Sequence, residues 1–248
     1  MSRLALLLAA AALLLASCGG GGEQLVTERI GEGPAAVTII RPEGLDDDVP
    51  VVLFLHGWGA TEPRTYLPWL EHLAREGNAV VYPRYQDSFA EPPAQVLGNV
   101  VLGVRAALRR LDEDGDSLVV AGHSAGGALA ADYAAVAQSV GLPVPRAVFA
   151  AYPGRRFAGT RIGIPAAGAI PRGVDVLALE GADDRVVDQG AAREIGARGR
   201  LLVVRAAGAR DHLAPQRDDP VSRREIWARL DDLIDAARDQ SSANVRHA

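Results

Sequence analysis

A chain of 248 residues is long enough for one α/β domain or two small ones. Hydrophobic residues make up 48% and charged residues 23%, an ordinary balance for a globular protein with a sizeable core. The formal net charge is -5 and no Lys/Arg-rich block interrupts the sequence, so the electrostatic footprint of a nucleic-acid binder is missing.

In chain order, Met1-Ser-Arg3 gives a short positive start. Leu4 to Ala16 is an apolar run too short to span a bilayer and without a polar face, which is the pattern of a secretory signal. The stretch Leu15-Ala-Ser-Cys18 resembles a bacterial lipobox. The resemblance implies that residues 1–17 are removed and that Cys18 takes a diacylglyceryl group and becomes the new N-terminus. Cys18 is the only cysteine, so an internal disulfide is impossible and lipidation gives the residue a purpose. Each acyl CH₂ buried in lipid contributes ~0.8 kcal/mol, so one chain binds marginally and a second makes the anchor stable. Residues 18–23, rich in glycine, then read as a flexible tether. The expectation is an exported protein anchored to a bacterial membrane, with the choice of membrane left open.

Gln24–Arg29 and Ala35–Arg41 read as strands joined by a Gly-Glu-Gly-Pro turn. Val51–Leu55 is a continuous apolar run of strand length, as a buried parallel strand requires, and it ends in His56-Gly57-Trp58-Gly59. A helix is expected over Tyr66–Glu76, a strand over Asn78–Tyr82, and a helix over Gln95–Asp112 with Val96, Val100, Val104, Leu108 and Leu111 on one side. A strand over Ser117–Ala121 and an alanine-rich helix over Gly126–Val140 follow. Strands over Arg146–Ala151, Val174–Leu179 and Leu201–Arg205, a helix near Gly190–Gly196 and an amphipathic helix over Ser222–Arg238 complete the pattern. Strands alternating with helices predict one α/β domain over residues 24–240, with a mostly parallel central sheet covered by helices on both faces. Residues 241–248 read as a polar, frayed tail.

Val119-Val-Ala-Gly-His-Ser-Ala-Gly-Gly-Ala128 places Ser124 between a strand and a helix, with glycines two residues to either side. Gly-x-Ser-x-Gly at such a junction is the nucleophile-elbow pattern, in which a sharp turn presents the serine at the carboxyl edge of the sheet. Ser124 as a plain helix N-cap is the competing reading. A serine hydroxyl needs a base. Of the five histidines, His56 sits in the turn after a strand, His123 inside the elbow, His72 in a helix and His247 in the tail. His212, in a loop at the carboxyl end of the last strand, lies at the same sheet edge as Ser124. An orienting carboxylate is expected from Asp184, with Asp183 as the alternative; Asp211 is adjacent to His212 in sequence, where neighbouring side chains point apart.

These residues resemble the α/β-hydrolase superfamily over nearly the whole length after residue 23, in the manner of serine esterases, lipases and dienelactone-hydrolase-like proteins. The order Ser124, Asp184, His212 is that superfamily's order. The spacing from Gly181 resembles its acid loop and favours Asp184. His56-Gly57-Trp58-Gly59 resembles its oxyanion loop, which implies that the backbone N–H groups of Trp58 and Ala125 form the oxyanion hole. The resemblance implies hydrolysis of a small-molecule or lipid carboxylic ester through an acyl-enzyme. Polyester cleavage, acyl transfer by the same mechanism, and a catalytically inactive lipid-tethered binding protein are the alternatives. The serine departs from the cysteine nucleophile usual in dienelactone hydrolases. No metal-ligand cluster stands out and no cofactor is called for.

The stretch Pro153–Gly173, where the superfamily often inserts a cap domain, has no helical period, so an open cleft is expected. It carries Arg155, Arg156, Arg161 and Arg172 and no acidic residue, which reads either as a basic rim or as a solvated loop. Trp58 and Tyr85 fit either pocket walls or packing.

Overall fold

The computed structural model describes residues 24–44, 49–113, 115–157, 159–164 and 167–245. The expected signal segment 1–17, Cys18 and the tether through residue 23 lie outside the described residues, as does His247.

Strand β1 (Leu25–Ile30) pairs antiparallel with β2 (Val37–Pro42), Leu25 opposite Pro42 and Ile30 opposite Val37. The chain then alternates: β3 (Val51–Leu55), α1 (Leu67–Arg75), β4 (Ala79–Pro83), α2 (Val96–Leu111), β5 (Val119–His123), α3 (Ala125–Val136) and β6 (Ala147–Ala151). A small hairpin, β7 (Arg156–Phe157) with β8 (Thr160–Arg161), precedes β9 (Asp175–Gly181), α4 (Gly190–Gly196) and β10 (Arg200–Val204). The chain closes with α5 (Pro220–Ser222), a π turn over Arg223–Trp227 and α6 (Ala228–Val245).

The main sheet has the order β1-β2-β4-β3-β5-β6-β9-β10, parallel from β4 to β10 and antiparallel where β2 meets β1 and β4. The apolar run Val51–Leu55 serves both faces, because successive strand side chains point to opposite sides. Val51, Leu53 and Leu55 join one core with α2 and α3, whereas Val52 and Phe54 join the other with α1 and α6. In the second core Trp69 of α1 stacks on Trp227 at 5.6 Å, and Arg223 lies 4.5 Å over the Trp227 ring.

Several boundaries differ from expectation; the strand expected over Ser117–Ala121, for one, runs from Val119 to His123. The helix expected through Val140 leaves the α conformation after Val136 and tightens into a 3₁₀ turn over Ala137–Val140, closed by Gly141 at φ 65°. The last helical segment starts earlier, at Pro220, because the Asp219 carboxylate accepts from the N–H groups of Val221 and Ser222 and caps it. It also continues through Val245, past the expected helix end at Arg238 and into the stretch expected to fray, since neither glycine nor proline interrupts it.

Among the described residues, the insertion from Pro153 to Gly173 holds the hairpin and one 3₁₀ turn (Ala167–Ala169) but no α-helix. Its Arg155 belongs neither to a basic rim nor to a solvated loop. The guanidinium is buried, with Nη2 2.9 Å from Asp132 Oδ1 and Nη1 donating to Asp132 Oδ2 at 3.0 Å and to the Ile164 carbonyl at 2.7 Å. Arg156, Arg161 and Arg172 are exposed.

Candidate active site

The parallel strands end along one edge, and the loops leaving β3, β5, β9 and β10 meet there. Ser124 stands at the end of β5 with φ 56° and ψ -122°, a conformation L residues disfavour and one that costs ~1–3 kcal/mol. The surroundings impose it. Ser124 N–H donates to the Ala151 carbonyl at 3.0 Å, and the Ser124 carbonyl accepts from Gly154 N–H at 3.0 Å and Ala128 N–H at 3.2 Å. The flanking glycines are steric necessities: a Cβ on Gly122 would lie 2.4 Å from the Gly126 backbone, and one on Gly126 would lie 2.0 Å from the Leu55 carbonyl oxygen. These contacts let α3 start directly over the strand.

His212 Nε2 lies 3.0 Å from Ser124 Oγ, and its Nδ1 lies 2.7 Å from Asp184 Oδ2. A carboxylate only accepts, so Nδ1 carries the proton and donates, leaving Nε2 as the acceptor of the serine hydroxyl. The Asp184 Oδ1 accepts from Val186 N–H at 2.9 Å and Val187 N–H at 3.3 Å. Burial pushes the Asp184 carboxyl up. The hydrogen bond and charge of His212, together with the two N–H groups, outweigh this and hold the group below its usual range. Both side chains are nearly sealed from water, His212 at 6% exposure and Asp184 at 3%.

The alternatives point elsewhere. Asp183 pairs with Arg210 at 2.7 Å, half exposed, and Asp211 pairs with Arg217, which donates to it from Nη1 at 3.0 Å. Gly181 allows the acid loop to fold against the histidine loop, since a Cβ there would lie 2.5 Å from the Arg210 carbonyl oxygen. His72 bonds Asp231 at 2.9 Å, away from Ser124.

The His56–Gly59 loop lies against the elbow. A Cβ on Gly57 would sit 3.5 Å from Ser124 Cβ. The N–H groups on either side of Trp58 are taken, Gly57 by Tyr66 Oη at 3.0 Å and Gly59 by Gln86 Oε1 at 2.9 Å. Trp58 Nε1–H donates to the Phe89 carbonyl at 3.0 Å. His56 is buried, with its ring nitrogens 2.7 Å from the Gly57 carbonyl and 2.8 Å from that of Arg84. Burial pushes its imidazole down to about 4 against those hydrogen bonds. Tyr85 is fully buried, stacked on His56 at 4.0 Å and donating to the His56 carbonyl, so it supports this loop from beneath and is no pocket wall. Ala125 opens α3 directly after Ser124, so its N–H belongs to the helix's first turn.

Phe89, Val186 and Leu213 are large, apolar and exposed, at 61%, 69% and 53%. Each adjoins the site: the Phe89 ring covers Gly59, Val186 donates to Asp184, and Leu213 follows His212. Sequence reasoning gave no role to Phe89, Gln86, Tyr66 or His123. Phe89 meets Trp58 across 31 residues, Gln86 meets Gly59 across 27 and Tyr66 meets His123 across 57, separations that leave no local pattern. His123 was visible as a histidine in the elbow, and its chemical type was the available signal.

A family model described as "Thioesterase domain" matches residues 50–156, the part holding β3 to β6, the His56–Gly59 loop and the Ser124 elbow. Among solved structures, an esterase from Rhizomucor miehei superposes with a TM-score of 0.64 at 20% identity, covering 90% of this chain and 86% of its own. An esterase of Pyrobaculum calidifontis gives 0.63 at 19% identity, covering 87% and 86%. A Klebsiella pneumoniae protein assigned to the dienelactone hydrolases gives 0.63 at 18% identity, covering 85% and 98%. The chain has the α/β-hydrolase fold. No curated protein matches it.

Proposed function

We propose that the protein is a serine hydrolase of carboxylic esters, with Ser124 as nucleophile, His212 as base and Asp184 as its orienting carboxylate. The observation that carries this reading is the continuous hydrogen-bonded path Ser124–His212–Asp184, with 3.0 Å and 2.7 Å contacts, on a strained serine at the strand edge. The thioesterase-domain match and the esterase neighbours support ester hydrolysis as the chemistry.

In this mechanism Ser124 attacks the ester carbonyl as Nε2 of His212 takes its proton. Asp184 holds the tautomer and stabilises the imidazolium. The oxyanion forms against the backbone N–H groups of Trp58 and Ala125, and each such donor supplies on the order of 3 kcal/mol of transition-state stabilisation. His212 then protonates the leaving alcohol, and water repeats the cycle on the acyl-enzyme. We also propose that the protein is exported and held on a bacterial membrane by acylated Cys18, as the Leu15-Ala-Ser-Cys18 stretch suggests.

The family-model match favours one second reading, a thioester substrate, which the same residues would cleave with a thiol as leaving group. The test is hydrolysis of p-nitrophenyl esters of rising acyl length and of an acyl thioester by the full chain in detergent, with Ser124→Ala beside it. The expected result is ester hydrolysis that falls by several orders of magnitude in the variant. Faster thioester cleavage selects the second reading. A folded wild type that neither turns over an ester nor takes a fluorophosphonate label overturns both.

A further inference from the structure

The catalytic reading leaves one buried group without a task. His123 sits directly under His212, their ring centroids 4.8 Å apart, with no exposure to solvent. Its Nε2 lies 2.8 Å from the His212 carbonyl oxygen and its Nδ1 lies 2.7 Å from Tyr66 Oη. Tyr66, also buried, accepts from the Gly57 N–H at 3.0 Å.

Donor and acceptor rules give every proton in this chain a place. A carbonyl oxygen only accepts, so His123 Nε2 carries a hydrogen. The ring is neutral: burial, aided by the neighbouring His212, pushes its imidazole down to about 3. A neutral ring with hydrogen on Nε2 has a lone pair on Nδ1, so the Tyr66 hydroxyl donates there. The hydroxyl oxygen is then the acceptor for Gly57 N–H. Burial raises the Tyr66 hydroxyl above its ordinary range, which keeps it protonated for that donation. The direction is set from end to end: Gly57 N–H to Tyr66, Tyr66 to His123, His123 to the His212 carbonyl.

That path joins the loop after β3, the last residue of β5 and the loop after β10. Gly57 belongs to the loop carrying Trp58, His123 is the residue before Ser124, and His212 is the proposed base. Other contacts hold the histidine loop beside His212, such as Asp183 N–H on the Arg210 carbonyl at 3.0 Å and Tyr152 on the Ala209 carbonyl. The His123 bond acts on the backbone of His212 itself.

We propose that Tyr66 and His123 are positioning residues: a buried clamp that sets His212 and the Gly57–Trp58 backbone in register with Ser124. This rests on the serine-hydrolase reading. It also gives the histidine of Gly-His-Ser-Ala-Gly a purpose, as a neutral spacer that donates upward and accepts sideways.

The test uses the full chain in detergent, p-nitrophenyl butyrate for turnover and a fluorophosphonate for labelling rate. Tyr66→Phe removes the hydroxyl and keeps the ring, and His123→Leu removes both ring nitrogens. In His123→Gln an amide N–H reaches the place of Nε2. Misplacing a catalytic group by about 1 Å costs on the order of 100-fold, so kcat and the labelling rate should fall by about that factor in Tyr66→Phe and His123→Leu, with KM near wild type. His123→Gln should recover most of the loss, which a merely structural role would not produce. Folded Tyr66→Phe with wild-type kcat and labelling rate overturns the clamp, and that variant decides the matter if His123→Leu does not fold. A wild type inert to both probes fails at the hydrolase reading instead, so the two failures are distinguishable.

Discussion

Asp183 and Asp184 are neighbours with the same side chain, and the loop sends them to opposite duties. Asp183 turns outward to Arg210, with half of its side chain in water, where an ion pair contributes little. Asp184 turns inward and meets His212 Nδ1 at 2.7 Å. Asparagine at 184 would keep the shape but permit the wrong His212 tautomer, with Nε2 protonated and unable to accept from Ser124. The expected result is a fall in kcat of about 10⁴-fold for Asp184→Asn, the scale of the corresponding change in other serine triads. Asp183→Asn should stay within a few-fold of wild type, since it loses only an exposed pair. Steady-state kinetics on one short-chain ester checks both, and equal losses would reassign the acid. At this scale the sequence was informative wherever a local geometric demand forces a residue type. Gly122 and Gly126 are legible because only hydrogen fits between β5, α3 and the Leu55 carbonyl. The Tyr66–His123 contact spans 57 residues and answers to no local rule, so the sequence does not display it.

At the scale of elements, polar contacts, one buried and one partly exposed, tie helices and the insertion to the domain. Arg155 crosses from the insertion to Asp132 of α3, and Gly163 at φ 64° lets the chain pass so close that a Cβ there would lie 2.1 Å from the Asp132 carboxylate. Composition alone made the insertion look basic, because its partner carboxylate sits on another element. A second tie joins α1 to α6, where His72 Nε2 lies 2.9 Å from Asp231 Oδ2. That hydrogen bond raises the His72 imidazole above its ordinary value, against its own partial burial, with Glu76 adding to the rise and Arg223 opposing it. A histidine raised in the folded state stabilises fully below its unfolded pKa of about 6.5, and the contribution is lost as pH rises through the higher folded value. Both side chains are partly exposed, at 24% and 30%, so the tie contributes no more than about 1 kcal/mol. Thermal unfolding of wild type and His72→Gln should therefore differ more near pH 5 than near pH 9. A gap independent of pH would remove the charge from this account.

At the scale of the molecule, the sheet divides two apolar cores and gathers its chemistry at one edge. The alternation of strands and helices was readable because each buried strand must feed both cores, which writes continuous apolar runs into the chain. The apolar surroundings of the site were not readable, since Phe89, Val186 and Leu213 come from three loops and only the fold brings those loops to the edge that carries Ser124, beside Gly59, Asp184 and His212. Apolar side chains this exposed have a use when a substrate covers them. In the proposed acyl-enzyme the chain extends from the ester carbonyl on Ser124 Oγ and would run over these side chains, and each methylene it buries there contributes about 0.8 kcal/mol. Losing two such contacts costs roughly 10-fold in kcat/KM. The triple variant Phe89→Ser, Val186→Ser, Leu213→Ser should therefore lose about 10-fold more kcat/KM on p-nitrophenyl octanoate than on the acetate, which is too short to reach these side chains. A parallel fall on both esters would mean that the three side chains support the loops and leave acyl selection to other groups. Unchanged values on both would mean that the chain leaves by another path.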